Sequence, residues 1–397
     1  MFRRLLATTL ARRAGEMPVV AVVGPRQSGK TTLVRELFPN HLYLSLERPD
    51  VRAEAAEDPV GFLAQAANGA ILDEVQRAPE LPSYIQGMVD EDDRPGRFIL
   101  TGSQNLLLME QLSQTLAGRV ALLRLLPLSV SELCGRPPVD VERLDTVERP
   151  PPAIDRELWE TVWSGLYPRI HDKGLVPTEW LGDYFRTYVE RDLRTVLRVM
   201  DLDRFESFVG LVAARTGQEV NLNSLAADAG ISQPTAKQWL TALRVGFVVT
   251  LLQPYHASYR KRLRRRPKLH FLDTGLACYL LGIRSADQLR RHPLRGALFE
   301  SFVVAELTKG FEHTGRVPPL YHWRDATGHE VDVLIDLGER QVPVEVKAGR
   351  TVTADALASL RWWTGLEANP NTGGVLVHGG DTARMRSGFA VRPWFLG

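Results

Sequence analysis

Eight consecutive residues, Gly24-Pro25-Arg26-Gln27-Ser28-Gly29-Lys30-Thr31, set two glycines, an ammonium and a hydroxyl at the spacing of a phosphate-wrapping loop. Gly24 and Gly29 permit a tight turn in which backbone N–H groups face phosphate oxygens, and the helix that follows adds its dipole. Lys30 is placed to reach the β- and γ-phosphates and Thr31 to ligate magnesium, and Thr32 belongs to the same nucleotide-binding set. The cofactors this chemistry calls for are ATP and Mg2+. An apolar run, Ala70-Ile71-Leu72, then ends in Asp73-Glu74. Asp73 is placed to hold the magnesium shell, and Glu74 to orient and deprotonate the attacking water.

A second set of reactive side chains stands near the other end: Glu300, Asp332, Glu345 and Lys347. In strands of period two, Val331, Val333 and Ile335 share one face and Asp332 takes the other, while Val342, Val344 and Val346 oppose Glu345 and Lys347. A two-residue turn at Gly338-Glu339 places Asp332 opposite Glu345; a turn at Glu339-Arg340 places it opposite Lys347. Both registers put these residues on one face, and an unbulged three-residue turn separates them. Two carboxylates and a lysine so arranged describe a magnesium site at Asp332 and Glu345, with Lys347 orienting water and Glu300 completing the set from a preceding helix. A Glu-x-Lys triplet alone is weak; hairpin, faces and upstream Glu together say more.

The elements that must position these groups are legible around them. Residues 18–23 read as a buried β-branched strand running into the loop, and 31–37 as the helix leaving it. A third strand, 97–103, ends in Thr101, Gly102 and Ser103; Thr101 or Ser103 is placed to contact the γ-phosphate or the water. Arg119, after a helical stretch, is a candidate arginine finger acting in cis or from a neighbouring subunit. The basic stretch 1–13 matches either a transit peptide or, more simply, an amphipathic helix packing Leu5, Leu6 and Leu10 on the ATPase core.

Taken together, Gly24 to Leu33, Leu72-Asp73-Glu74-Val75-Gln76, Leu100-Thr101-Gly102-Ser103 and Ala117-Gly118-Arg119 resemble a family of bacterial and archaeal AAA-type P-loop ATPases with a C-terminal restriction-endonuclease-like domain. The resemblance runs over nearly the whole chain. It implies an AAA-type core and leaves a homo-oligomer open through the arginine. Glu300, Asp332, Glu345 and Lys347 look like the PD-(D/E)xK nuclease motif, with Glu330-Val331-Asp332 standing where Pro-Asp is usual. Arg191 and Asp192 match a recurring pair of that family.

Between the two chemistries, residues 135–153 hold five prolines among charges and read as a linker or surface loop. Residues 180–193 carry the three- and four-residue apolar steps of a lid helix. Residues 222–229 and 233–244 read as a helix-turn-helix, with Ser232 as N-cap and Pro234 tolerated in the first turn. Ala236, Leu240 and Leu243 face inward; Gln233, Thr235, Lys237 and Gln238 are free to meet DNA. A strand, a run in which seven of the nine residues 260–268 are cationic, and a returning strand follow, the order of a winged helix with a basic wing. Lys261, Arg262, Arg264, Arg265, Arg266 and Lys268 are the candidate phosphate contacts.

The expected fold is thus α/β: a P-loop AAA-type ATPase domain over 1–135, a Pro-rich linker over 136–154, a helical lid over 155–205, a winged helix-turn-helix over 206–283, and an α/β PD-(D/E)xK nuclease-like domain over 284–397. Composition agrees with the class. The chain has 397 residues, 44% hydrophobic and 24% charged, which excludes wholesale disorder. Its net charge of +2 makes any nucleic-acid footprint local. Two cysteines cannot staple a fold, so a reducing, cytoplasmic setting is expected. No apolar run reaches the ~20 residues of a membrane span. The expected function is ATP hydrolysis coupled to action on DNA, with Mg-dependent cleavage as an added activity. The alternative is a nucleotide-driven switch whose inactive nuclease-like domain docks a protein.

Overall fold

The computed structural model describes residues 2–66, 68–102, 115–147, 151–190, 202–255, 266–325, 327–366 and 373–396. Ser103, Arg191, Asp192, Lys261, Arg262, Arg264 and Arg265 lie outside the described residues. The chain divides into two compact units: residues 1–128 with 245–247 and 311–316, and residues 129–244 with 248–310 and 317–397.

The first unit is built on a five-stranded sheet of order β2-β3-β4-β1-β5, with β1 Val19–Val23, β2 Leu42–Ser45, β3 Ala70–Asp73, β4 Phe98–Gly102 and β5 Val120–Arg124. All its pairings are parallel. A parallel sheet needs cover on both faces, because its crossovers lie there. The side chains of β1 divide accordingly. Val19, Ala21 and Val23 enter one apolar cluster with Phe62, Leu81 and Ile85; Val20 and Val22 enter another with Leu6, Leu10, Leu33 and Val34. Each such fully buried aliphatic group stabilises the fold by roughly 1.5–3 kcal/mol. The expected packing of the N-terminal helix on the ATPase core is therefore found: Leu6 and Leu10 of the Leu6–Ala14 helix are fully buried, while Leu5, just before it, is half-buried. The loop 24–29 joins β1 to the Lys30–Leu37 helix.

The second unit is organised on a nine-stranded sheet of order β13-β14-β12-β11-β10-β9-β7-β8-β6. Its strands are β6 Gln218–Glu219, β7 Val249–Pro254, β8 Lys268–Phe271, β9 Leu320–Arg324, β10 Glu330–Asp336, β11 Gln341–Lys347, β12 Val375–His378, β13 Arg384–Arg386 and β14 Phe389–Pro393. Strands β7 and β8, which bracket the basic run, thus belong to the same sheet as the C-terminal hairpin, through a parallel pairing of β7 with β9.

Two helices, Leu222–Asp228 and Gln233–Val245, are joined by a turn in which Gly230 takes φ 64°. Ser232 Oγ accepts the Thr235 N–H at 3.2 Å, the cap read from the sequence. Ala236, Leu240 and Leu243 are buried; Gln233, Lys237 and Gln238 are exposed. The Pro177–Tyr184 helix passes into a π-helical segment, Phe185–Glu190, where a single regular helix was expected. The Pro-rich stretch carries no regular element over 136–147 but is anchored. Val141 and Leu144 are buried, and Arg392 Nε donates to the Leu144 carbonyl at 2.7 Å. Among the described residues no helix is long and apolar enough to cross a membrane.

Candidate functional site

The nucleotide loop is held open by sterics that only glycine satisfies. A Cβ on Gly24 would lie 2.1 Å from the Leu125 carbonyl oxygen, and Gly29, the residue before the helix, takes φ 94°. Two non-glycine residues beside the site also adopt left-handed backbone, Gln27 at φ 61° and Glu74 at φ 58°. Such conformations cost energy and persist where surrounding structure imposes them, commonly at functional sites.

Lys30 lies beneath the loop. Its Nζ donates to the carbonyls of Gly24 at 3.0 Å and Pro25 at 2.8 Å. Burial pulls its pKa down to about 8, against the opposing pull of Glu74 and Asp73. Thr31 Oγ1 donates to Asp73 Oδ1 at 2.9 Å, so the two residues read as magnesium ligands meet at the carboxyl ends of β1 and β3. Thr101 donates to the same oxygen. Tyr43, from β2, donates to Asp73 Oδ2 at 2.8 Å. Glu74 follows Asp73 and accepts a hydrogen bond from the Gln76 amide.

These residues fit a triphosphate and its metal. The Ser28 hydroxyl is buried with no hydrogen-bond partner among the described residues, and the buried Lys30 ammonium faces only neutral acceptors at bonding distance. Magnesium in such sites is held by one or two protein groups, with phosphates and water supplying the remainder. Thr31 and Asp73 supply that number.

Sequence reading missed one part of the loop's support. Arg4 is 7% exposed; its guanidinium donates to the Ser28 carbonyl and, at 2.7 Å, to that of Leu126. The signal was an arginine two residues ahead of the buried Leu6, indistinguishable in sequence from its basic neighbours. Arg119 stands one residue before β5 and places its guanidinium fork on the Asp90 carboxylate, with one bond at 3.0 Å.

In the second unit, the hairpin register is the one set by a Gly338-Glu339 turn. Leu337 N–H bonds the Arg340 carbonyl at 2.9 Å, Gly338 takes φ 82°, and Val333 pairs with Val344, Ile335 with Val342. Extending that register by one step sets Asp332 opposite Glu345. Asp332 Oδ2 accepts the Val346 N–H at 2.8 Å, and Lys347 bonds Glu345 Oε1. Glu300 comes to the same cluster from the Arg295–Glu312 helix. The four residues singled out by sequence are therefore together.

A fifth charge joins them. Lys268, grouped by sequence with the phosphate contacts, is 4% exposed, and its Nζ lies 2.6 Å from Glu300 Oε1, 2.7 Å from Glu330 Oε1 and 3.8 Å from Asp332 Oδ1. This corrects the expected role: β8 turns the side chain inward, and three carboxylates satisfy it. Arg266, two residues earlier, is exposed as expected. His270, also on β8 and fully buried, bonds Ser301 Oγ through Nδ1 at 3.0 Å, and burial holds its pKa well below the usual imidazole value. Burial and the neighbouring Asp332 carboxylate push Glu300 up to about 8 and Glu345 up to about 7.

The magnesium site expected at Asp332 and Glu345 has Lys268 beside it, with the ammonium 3.8 Å from Asp332 Oδ1. The Lys268 ammonium occupies the space between Glu300 and Asp332, and one oxygen of Asp332 is committed to a backbone N–H.

Residues 16–134 match the AAA domain family; 155–287 and 295–394 match two domains of unknown function. Two uncharacterized proteins, from Mycobacterium bovis and Mycobacterium tuberculosis, are each 33% identical over 362 residues, covering 90% of this chain and 76% of their own length. Among solved structures, a Walker-type ATPase of Pyrococcus abyssi is 14% identical, covering 69% of this chain and 94% of its own, at a TM-score of 0.38. At that score it adds nothing to the assignment.

Proposed function

The chain belongs to the family of the two mycobacterial proteins and is an AAA-type P-loop ATPase; from that premise we propose that its nucleotide cycle works on DNA bound by the second unit. The observation that carries the ATPase site is the meeting of Thr31 and Asp73 at 2.9 Å beside the buried Lys30.

Bound magnesium supplies charge neutralisation on the phosphates; the rest is the work of the chain. Lys30 and the N–H groups of residues 24–29 bind the phosphates. Thr31 and Asp73 would hold the magnesium, with Tyr43 and Thr101 fixing the Asp73 carboxylate. Glu74 takes the proton of the attacking water. It lies one residue past the strand end, in left-handed backbone.

DNA binding is supported by two features of the second unit. The Gln233–Val245 helix presents Gln233, Lys237 and Gln238 to solvent, as a recognition helix of a winged helix-turn-helix would. Six further cations fall within residues 260–266, with no acid among them. That density suits phosphate contact through counterion release.

The test is magnesium-dependent ATP turnover with and without single- and double-stranded DNA. Stimulation by either is expected, absent in Lys30→Ala, which loses nucleotide binding, and in Glu74→Gln, which binds ATP but turns over at least tenfold more slowly. Turnover by the wild type that ignores both DNAs at low salt overturns the DNA reading and leaves the ATPase standing.

A further inference from the structure

The carboxylate cluster of the second unit already contains a cation. Lys268 Nζ sits 2.6 Å from Glu300, 2.7 Å from Glu330 and 3.8 Å from Asp332, at 4% exposure. The acids and the lysine arrive from three separate elements: Glu300 from the Arg295–Glu312 helix, Glu330 and Asp332 from β10, and the lysine from β8. Such convergence is a built site, since an ammonium buried this deeply requires partners for each of its N–H groups.

We propose that Lys268 is the resident cation of this site, standing where a nuclease would hold its metal, so that the native protein takes no divalent ion there and does not hydrolyse phosphodiesters.

The argument is one of space and charge. Magnesium demands near-octahedral oxygen ligands at about 2.0–2.1 Å and keeps several waters. The oxygens of Glu300 and Glu330 are drawn instead around a nitrogen at hydrogen-bond distance. A divalent ion placed among the same oxygens would lie against the buried ammonium, where their repulsion is screened less than in water. β8 is paired on both sides, by β7 and β6, so the backbone that carries the lysine is fixed, and its buried ammonium has Glu300 and Glu330 as partners. Lys347 does not duplicate this role. It is exposed, and its hydrogen bond goes to Glu345.

Neutralisation by a point charge also explains why β8 carries one of only seven lysines in a chain otherwise dominated by arginine. A guanidinium is planar and forked; a compact ammonium fits a three-sided carboxylate cage.

The experiment is a manganese titration of the full-length, nucleotide-free protein, read by the electron paramagnetic resonance of free ion, on wild type and Asp332→Asn. The nucleotide site is common to both and cancels. Equal manganese uptake, together with intact supercoiled plasmid after incubation with magnesium or manganese, is the expected result. Uptake or nicking present in wild type and lost in Asp332→Asn overturns the proposal. Lys268→Met, of similar length and no charge, is the second variant. With its fold verified by circular dichroism and retained ATP turnover, it is expected to gain one manganese site at least tenfold tighter than any in the wild type. A folded Lys268→Met that gains none also overturns the proposal. Should Lys268→Met fail to fold, the wild-type and Asp332→Asn pair decides alone.

Discussion

Tyr43 and Asp73 are joined by a 2.8 Å hydrogen bond from the phenol to Oδ2, and this leaves neither oxygen of the carboxylate free to rotate, because Thr31 holds Oδ1 at 2.9 Å. Burial and the bond to Asp73 push the phenol up to about 12, so it remains a donor throughout the working pH range. The magnesium-side carboxylate is thus pre-set by β2 as well as by the loop.

Tyr43→Phe removes that donor and keeps the ring, over which the Arg35 guanidinium lies at 4.5 Å. The expected outcome is a three- to tenfold fall in ATP turnover, a higher magnesium requirement, and nucleotide affinity within twofold of wild type. A hydrogen bond to a charged acceptor is worth about 1.5–3 kcal/mol, less where water reaches it, which sets that range. A magnesium titration of turnover checks it; an unchanged half-saturating concentration contradicts the positioning role.

Arg4 makes a second prediction. Its two bonds to the Ser28 and Leu126 carbonyls tie the N-terminal segment to the phosphate loop and to the residues after β5. Arg4→Met keeps much of the packed stem and loses both donors. Nucleotide affinity is expected to fall at least fivefold and the melting temperature to drop by several degrees. Saturating ATP should widen that loss relative to the wild type, since ligand stabilises the native state by an amount that shrinks as Kd rises and the variant binds it more weakly. Equal melting loss with and without ATP would mean Arg4 serves the fold alone.

Much of this was legible because it depends on local rules. The phosphate loop is contiguous, so its strand, glycines, Lys30 and Thr31 announce one another within fifteen residues. The Asp332–Glu345 pairing followed from strand period and a two-residue turn, and Gly338 at φ 82° selected one of the two registers. The Gln233–Val245 helix showed its inward face through Ala236, Leu240 and Leu243. What stayed hidden depends on distant pairing. Lys268 reads as one more cation in a basic run, and only the turn of β8 toward Glu300, thirty-two residues on, gives it a different role. Arg4 likewise has its acceptors at residues 28 and 126. Neither spacing leaves a periodic trace.

Arg119 yields a third prediction. In this chain its guanidinium is engaged by Asp90, so action as a finger on a neighbouring subunit requires it to leave that carboxylate. Asp90→Asn should therefore leave turnover unchanged or raise it, while Arg119→Ala lowers it at least tenfold without loss of ATP binding. Adding Arg119→Ala protein to an excess of Lys30→Ala protein should then recover activity if the arginine acts between subunits, because each mutant supplies what the other lacks. If both single variants turn over ATP as the wild type does, Arg119 is a surface ion-pair residue and no finger.

The last prediction concerns salt. Each phosphate neutralised on duplex DNA steepens the fall of log affinity with log salt by about 0.9. Arg266 and Lys237 are both exposed, whereas Lys268 is enclosed by Glu300 and Glu330. Arg266→Ala and Lys237→Ala should each flatten the salt dependence by about one unit where they touch phosphate, and weaken binding nearly equally across sequences. Lys268→Met should leave the slope of the wild type intact, since an ammonium held among carboxylates releases no counterion from DNA. Fluorescence anisotropy with a labelled duplex between 50 and 300 mM salt separates the three. A slope that drops in Lys268→Met as much as in Arg266→Ala would return Lys268 to the DNA-contacting set and contradict its place in the carboxylate cage.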